Sequence, residues 1–275
     1  MPAFLPYKAI LGYDITQFIT VGAQLNYVIL SDPNFTALNH RHNIVVTITG
    51  NITSSSSTTD AISIGNLSAY KKVDIIINGG LTMRGKGGNG GVGESADGSG
   101  PGAGAAGGDV IFINTNNTSA ILSVTNNGTL RGAGGGGGGG ARTSVTHHTE
   151  DGKGECGVAG TVFAPSGGGG GGAGLNNGSG GAGGTGGTIA GSVGSTGTSN
   201  GGGAGGARGT RNYQQSGNCP SATLNGNVGG AGGASGVNGS VGAGGGSAGG
   251  ARGFYIRNSG SCAFVNNGTV IGNSN

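Results

Sequence analysis

Groups able to do acid–base, nucleophilic or metal chemistry are few in this chain, and their densest cluster is one stretch: His147, His148, Glu150, Asp151, Lys153, Glu155 and Cys156. A zinc or nickel site needs ligands that converge on one point, whereas adjacent histidines on an extended chain face opposite ways and Cys156 stands at no ligand spacing from them. Glu150, Asp151 and Glu155 would supply half of a glycosidase carboxylate pair, but the sequence has no second cluster to face them across a cleft. Strings of the form GxGxxG are numerous, yet none follows a strand, opens a helix and precedes an acid about 20 residues on, so they carry no nucleotide signal. Cys156, Cys219 and Cys262 lie far apart without CxxC spacing, and their odd number disfavours a disulfide framework. We therefore expect no enzyme, no cofactor and no metal, and read the histidines as solvated loop residues available to a partner.

The elements that hold these residues are unusual. Glycine accounts for 72 of 275 residues, while charged residues make up 8% and tryptophan is absent, so an ordinary hydrophobic core cannot fill the whole length. Six prolines and no strict triplet exclude collagen, and the low charge argues against simple disorder. The tracts GGAGGTGG (180–187), GGGAGGARG (201–209), GGAGGASG (229–236) and GAGGGSAGGARG (242–253) carry two glycines in three. That spacing fits an extended helix of three residues per turn, whose side-chain-free edges let neighbouring backbones bond across; a flexible linker array requires neither the regular tract lengths nor the strands between them. Polar inserts separate the tracts at 141–166, 188–200 and 210–228, with shorter ones at 92–103 and 235–241. Phe163 and Tyr213, the only aromatics between residues 113 and 253, sit in them. Loops on a rigid scaffold are a usual place for recognition. Arg84, Arg208 and Arg252 at tract ends read as solvated caps, and the Asn-x-Ser/Thr sequons match what an Asn/Ser/Thr-rich chain produces by chance.

Residues 1–84 hold only six of the glycines and read as β-rich: YDITQFITV (13–21), QLNYVIL (24–30), NIVVTIT (43–49), AISI (61–64) and VDIII (73–77) are β-branched and alternating. A strand–turn–strand unit then recurs at 73–91, 120–138 and 262–275, each with Asn-Gly or Gly-Gly at the turn, a strong hairpin signal. We expect these units, with VIFIN (110–114), to stack or pair at one end of the glycine body. The net charge of +3 with scattered basic residues excludes a nucleic-acid footprint, and we read neither a secretory signal nor a membrane helix.

Glycine tracts separated by variable loops and fed by units such as VTNNGTLRGAGGGG resemble the distal tail-fibre adhesins of T-even-like bacteriophages over residues 73–275. The resemblance implies a sandwich of polyglycine-II helices whose joining loops select a receptor on the bacterial surface, an outer-membrane protein or a polysaccharide. It places receptor contacts in the loops 141–166, 188–200 and 210–228, with His147, His148, Phe163, Tyr213, Gln214 and Gln215 as the candidate residues. It also implies a virion protein at the fibre tip, made in the host cytoplasm. Residues 1–72 lack the tryptophan-bearing signatures of that family's attachment domain and read instead as a β-rich module that mounts on a tail-fibre or baseplate protein, as a homotrimer or as a monomer on a trimeric fibre. The expected fold is therefore mainly β in residues 1–72, with a glycine-rich body of packed polyglycine-II helices and short strands in residues 73–275 and essentially no α-helix. Two other functions fit less well: a structural tail, baseplate or capsid component without receptor contact, and an ice-binding protein, which the charged insert 141–166 disfavours.

Overall fold

Alternating β-branched runs give strands with one apolar face, and in this chain those faces are buried by winding rather than by hairpins. Strands Thr16–Val21, Asn43–Ile48, Lys72–Ile77, Leu122–Asn126 and Ala263–Asn266 form one sheet in chain order, all parallel. The short strands that follow them, Gln24–Leu25, Ile52–Thr53, Thr82–Arg84, Thr129–Arg131 and Thr269–Ile271, form a second parallel sheet. Tyr27–Val28, Ile62–Ile64, Ile111–Ile113 and Ile256–Arg257 form a third. The computed structural model, which describes residues 16–36, 42–150, 156–174, 177–213, 219 and 221–275, is therefore built on a three-faced parallel β-helix. Helix is confined, among the described residues, to Pro33–Thr36 and two 3-10 turns.

In-register stacking puts like residues above one another. Ile19, Val46, Ile75 and Val124 make one inward column, and Val21, Ile48 and Ile77 make a second, which continues as Asn126 and Asn266. Asn126 is fully buried; its amide donates to Asn266 Oδ1 at 2.7 Å, and its own Oδ1 accepts the Gly128 N–H at 3.0 Å. On the second face Ile52, Met83 and Leu130 close the same core, which runs without a break from Ile19 to Cys262. Cys262 is a free thiol, and burial pushes its pKa up to about 11.

Two expectations need correcting here. The strand–turn–strand units stack as expected, but their Asn-Gly turns close no hairpin: the two strands of a unit belong to different sheets, and neither Asn127 nor Gly128 takes the positive φ that a two-residue hairpin turn requires. The division expected at residue 72 also falls inside the strand Lys72–Ile77, whose neighbours are Asn43–Ile48 on one side and Leu122–Asn126 on the other. The β-rich residues and the recurring units are one β-helix with one core.

The glycine-rich body leaves that β-helix at one corner. Residues 85–110 depart after Thr82–Arg84 and return at Ile111–Ile113; residues 132–255 depart after Thr129–Arg131 and return at Ile256–Arg257. Within these excursions ten segments run side by side among the described residues: 85–94, 102–108, 132–141, 166–174, 178–184, 191–198, 201–209, 226–233, 237–243 and 247–253. Their hydrogen bonds repeat every third residue. Gly134, Gly137 and Gly140 donate to Ala173, Gly170 and Gly167; Gly135, Gly138 and Ala141 donate to Val237, Ser240 and Ala243; Gly136 and Gly139 donate to Ala105 and Gly102. Consecutive residues thus serve three different neighbours, the periodicity of a chain with three residues per turn. Gly134–Gly140 and Gly167–Gly172, the two uninterrupted runs, are the enclosed segments, whereas segments with Ala, Ser or Val at every third place turn those side chains outward.

At the junction, Asp109 is buried, accepts the Phe254 N–H at 2.7 Å and pairs with the Arg257 guanidinium. Burial and the neighbouring Asp109 push the Asp60 carboxyl up to about 6.

Candidate functional site

Register fixes which end of the glycine body is which. Segment 85–94 starts at the β-helix, and segment 132–141 starts there too and runs parallel to it, through Gly88 to Gly134, Gly91 to Gly137 and Glu94 to Gly140. Residues 94 and 141 therefore mark the far end, about 30 Å out at roughly 3.1 Å per residue. Connections near the β-helix are tight: Thr198 N–H bonds Gly201 O at 2.7 Å, and Val237 N–H bonds Ala234 O at 2.9 Å. The far end carries the longer inserts. These are the turn 95–101, the hairpin Thr143–Glu150 with Cys156–Ala164, the turn 185–190, and the hairpin Thr210–Tyr213 with Ala222–Asn225.

The long hairpin is clamped at its base. Arg142 Nε lies 3.1 Å from Glu94 Oε1, Arg142 N–H donates to Glu94 Oε2 at 3.0 Å, and Arg142 Nη1 donates to the Ala96 carbonyl at 2.9 Å. The same guanidinium covers the Phe163 ring, 3.8 Å from its centroid. Ser166 Oγ donates to the Gly140 carbonyl beneath. Beside the clamp, Asp97 accepts the Ser99 N–H and hydroxyl, and these bonds hold its carboxyl below the usual carboxylate range. The second hairpin is tied to the turn 185–190 by a two-way bridge between Ile189 and Thr210, at 2.9 and 2.8 Å. Thr143 Oγ1 donates to the Asn225 carbonyl, joining the two hairpins.

The structure brings most of the candidate residues to this end. His147 and His148 lie on the long hairpin and pair with Gly160 and Val158, so a β-bulge separates them. Tyr213 ends its strand opposite Ala222, while Gln214 and Gln215 lie outside the described residues. Phe163 is packed under Arg142 and anchors its hairpin. The insert read as 188–200 is different from expectation: 191–198 is one of the body segments, and its end at 198–201 turns back near the β-helix. Cys219 is disulfide-bonded and buried, so the odd cysteine count left room for one bridge at this end. Sequence reading missed Glu94, Arg142, Thr188, Asn212 and Thr223, small or charged residues whose roles come from partners 11 to 48 positions away. The one local signal was their place at the borders of the polar inserts.

Thr188, Asn212, Tyr213, Ser221, Ala222 and Thr223 line an open pocket of about 560 Å³ between the second hairpin and the turn 185–190. Among the described residues no group of three or more His, Cys, Asp or Glu side chains is placed to hold a metal ion.

A β-helix that carries a slab of glycine segments with hairpins at its far end has a counterpart among known proteins. Residues 16–275 match the family model of the phage tail fibre adhesin Gp38. The chain belongs to this adhesin family. A crystal structure of the gp37-gp38 adhesin tip complex of the bacteriophage S16 long tail fiber is similar in fold, with a TM-score of 0.50 and 22% identity over 94% of this chain and 82% of that one. The adhesin family match begins at residue 16, so it takes in the β-rich strands that lack the tryptophan signatures as well as the glycine body. The protein is a tail fibre adhesin and so a virion component, from a family of adhesins and not of enzymes.

Proposed function

We propose that this adhesin recognises a bacterial surface receptor, an outer-membrane protein or a polysaccharide, at the far end of its glycine body. The observation that carries this is the asymmetry of the connections: those described near the β-helix are tight turns, and both hairpins and the turns 95–101 and 185–190 lie at the other end. The ten glycine segments, in this reading polyglycine-II helices, form a stiff platform on which hairpins and turns can vary without refolding the scaffold. His147, His148 and Tyr213 are receptor-contact residues, with Gln214 and Gln215 in the same insert; Phe163 acts through Arg142 by holding its hairpin.

Mounting falls to residues 1–72. Among the described residues the first rung of the β-helix, Thr16–Val21, Gln24–Leu25 and Tyr27–Val28, ends each of the three sheets, and it exposes Phe18 (75%), Leu25 and Val28. An exposed edge with apolar side chains suits docking to another protein. The S16 structure is a gp37-gp38 complex, which supports a tail-fibre protein as this partner, with the adhesin a monomer on a trimeric fibre or itself a trimer.

Adsorption competition tests the reading. Bacteria pre-incubated with the purified chain should lose adsorption of a phage that carries it, and a variant with residues 211–224 replaced by a short turn should compete at least 10-fold less well. A purely structural virion component would leave adsorption unchanged at any concentration.

A further inference from the structure

The pocket beside Tyr213 has a chemistry of its own. Among the described residues its lining consists of the hydroxyls of Thr188, Ser221 and Thr223, the amide of Asn212, the phenol of Tyr213 and the methyl of Ala222, with no charged side chain. Its volume of about 560 Å³ falls in the range of small-molecule sites and is ample for one or two sugar rings. Several of these groups are already positioned. Thr223 Oγ1 donates to Asn212 Oδ1 at 2.8 Å, which aims the Asn212 amide, and Thr188 Oγ1 accepts the Asn212 N–H at 2.9 Å, which leaves that hydroxyl a proton to donate. The Ile189–Thr210 bridge fixes the two walls relative to each other.

From this arrangement we infer that the pocket binds a neutral saccharide unit of the bacterial surface. Hydroxyl and amide groups that both donate and accept match the hydroxyl edge of a pyranose, and an aromatic ring beside them matches its C–H face. A phosphate or acidic sugar would call for Arg or Lys in the lining. A protein loop anchored by a large apolar side chain would call for a mainly apolar pocket, whereas polar and apolar groups share this lining. The inference rests on the adhesin reading above and narrows it to a glycan contact at the second hairpin.

The test uses the full chain and bacterial strains that adsorb the phage, with binding measured on untreated cells, on cells whose vicinal diols have been cleaved by mild periodate, and on protease-treated cells. Surface polysaccharide purified from the same strain serves as the isolated probe. Saturable binding to the polysaccharide, loss on periodate treatment and retention after protease are expected. Asn212→Ala and Tyr213→Ala should each weaken polysaccharide binding 10-fold or more. Thr223→Val, which keeps the side-chain shape, should do so by several-fold with an unchanged circular dichroism spectrum. Binding that survives periodate and is lost on protease treatment identifies a protein receptor and overturns the glycan assignment while the adhesin reading stands. If wild type binds none of the untreated strains, the adhesin reading itself falls.

Discussion

A single methyl group is the sharpest probe of the glycine body. A Cβ on Gly137, in the middle of the enclosed segment, would sit 2.0 Å from the Gly230 carbonyl oxygen, and backbone on every side leaves no flexible atom to yield. Overpacking of this kind costs about 3 kcal/mol or more. We expect Gly137→Ala to lower the melting temperature by about 10 °C or to prevent soluble folding. Gly100→Ala, where a Cβ meets nothing within 4 Å, should leave it unchanged. Thermal unfolding followed by circular dichroism checks both, and equal behaviour of the two variants would contradict the packing described. At this scale the demand for glycine was legible in the sequence, because runs without side chains have few other uses. The part played by Phe163 was not: its ring lies under Arg142, whose acid partner Glu94 is 48 positions away, and no local pattern announces such a clamp.

At the level of elements, the strands were readable from β-branched alternation, and the recurrence of the strand–turn–strand unit was visible. Their parallel winding was not. The first three rungs follow one another at about thirty residues, but the excursions 85–110 and 132–255 stretch the later intervals and hide the period. Asn-Gly then suggested hairpins, whereas the residue before that turn, Asn126, spends its side chain on a ladder to Asn266 of the next rung, across the whole second excursion. Removing a buried amide with two partners costs about 2 kcal/mol. Asn126→Ala should lower the melting temperature by roughly 4–8 °C with the far-UV spectrum retained. An unchanged melting temperature would mean that the ladder does not hold the last two rungs together.

The molecule as a whole is one continuous structure with two differently built regions. The β-helix supplies the hydrophobic core that glycine cannot, and the glycine body supplies reach through a lattice made mainly of backbone bonds. Composition separates the glycine-rich tracts from the β-rich strands, but it does not show that the recurring units share one core with the strands before them. Two variants separate the tasks. One has residues 144–163 and 211–224 each replaced by a short turn; the other carries Phe18→Asp and Leu25→Asp on the first rung. The direct measurement is saturable binding of the wild type and both variants to bacterial cells, with folding confirmed by circular dichroism. We expect the shortened protein to lose cell binding and the first-rung variant to bind as the wild type does. Undiminished cell binding by the shortened protein would contradict this.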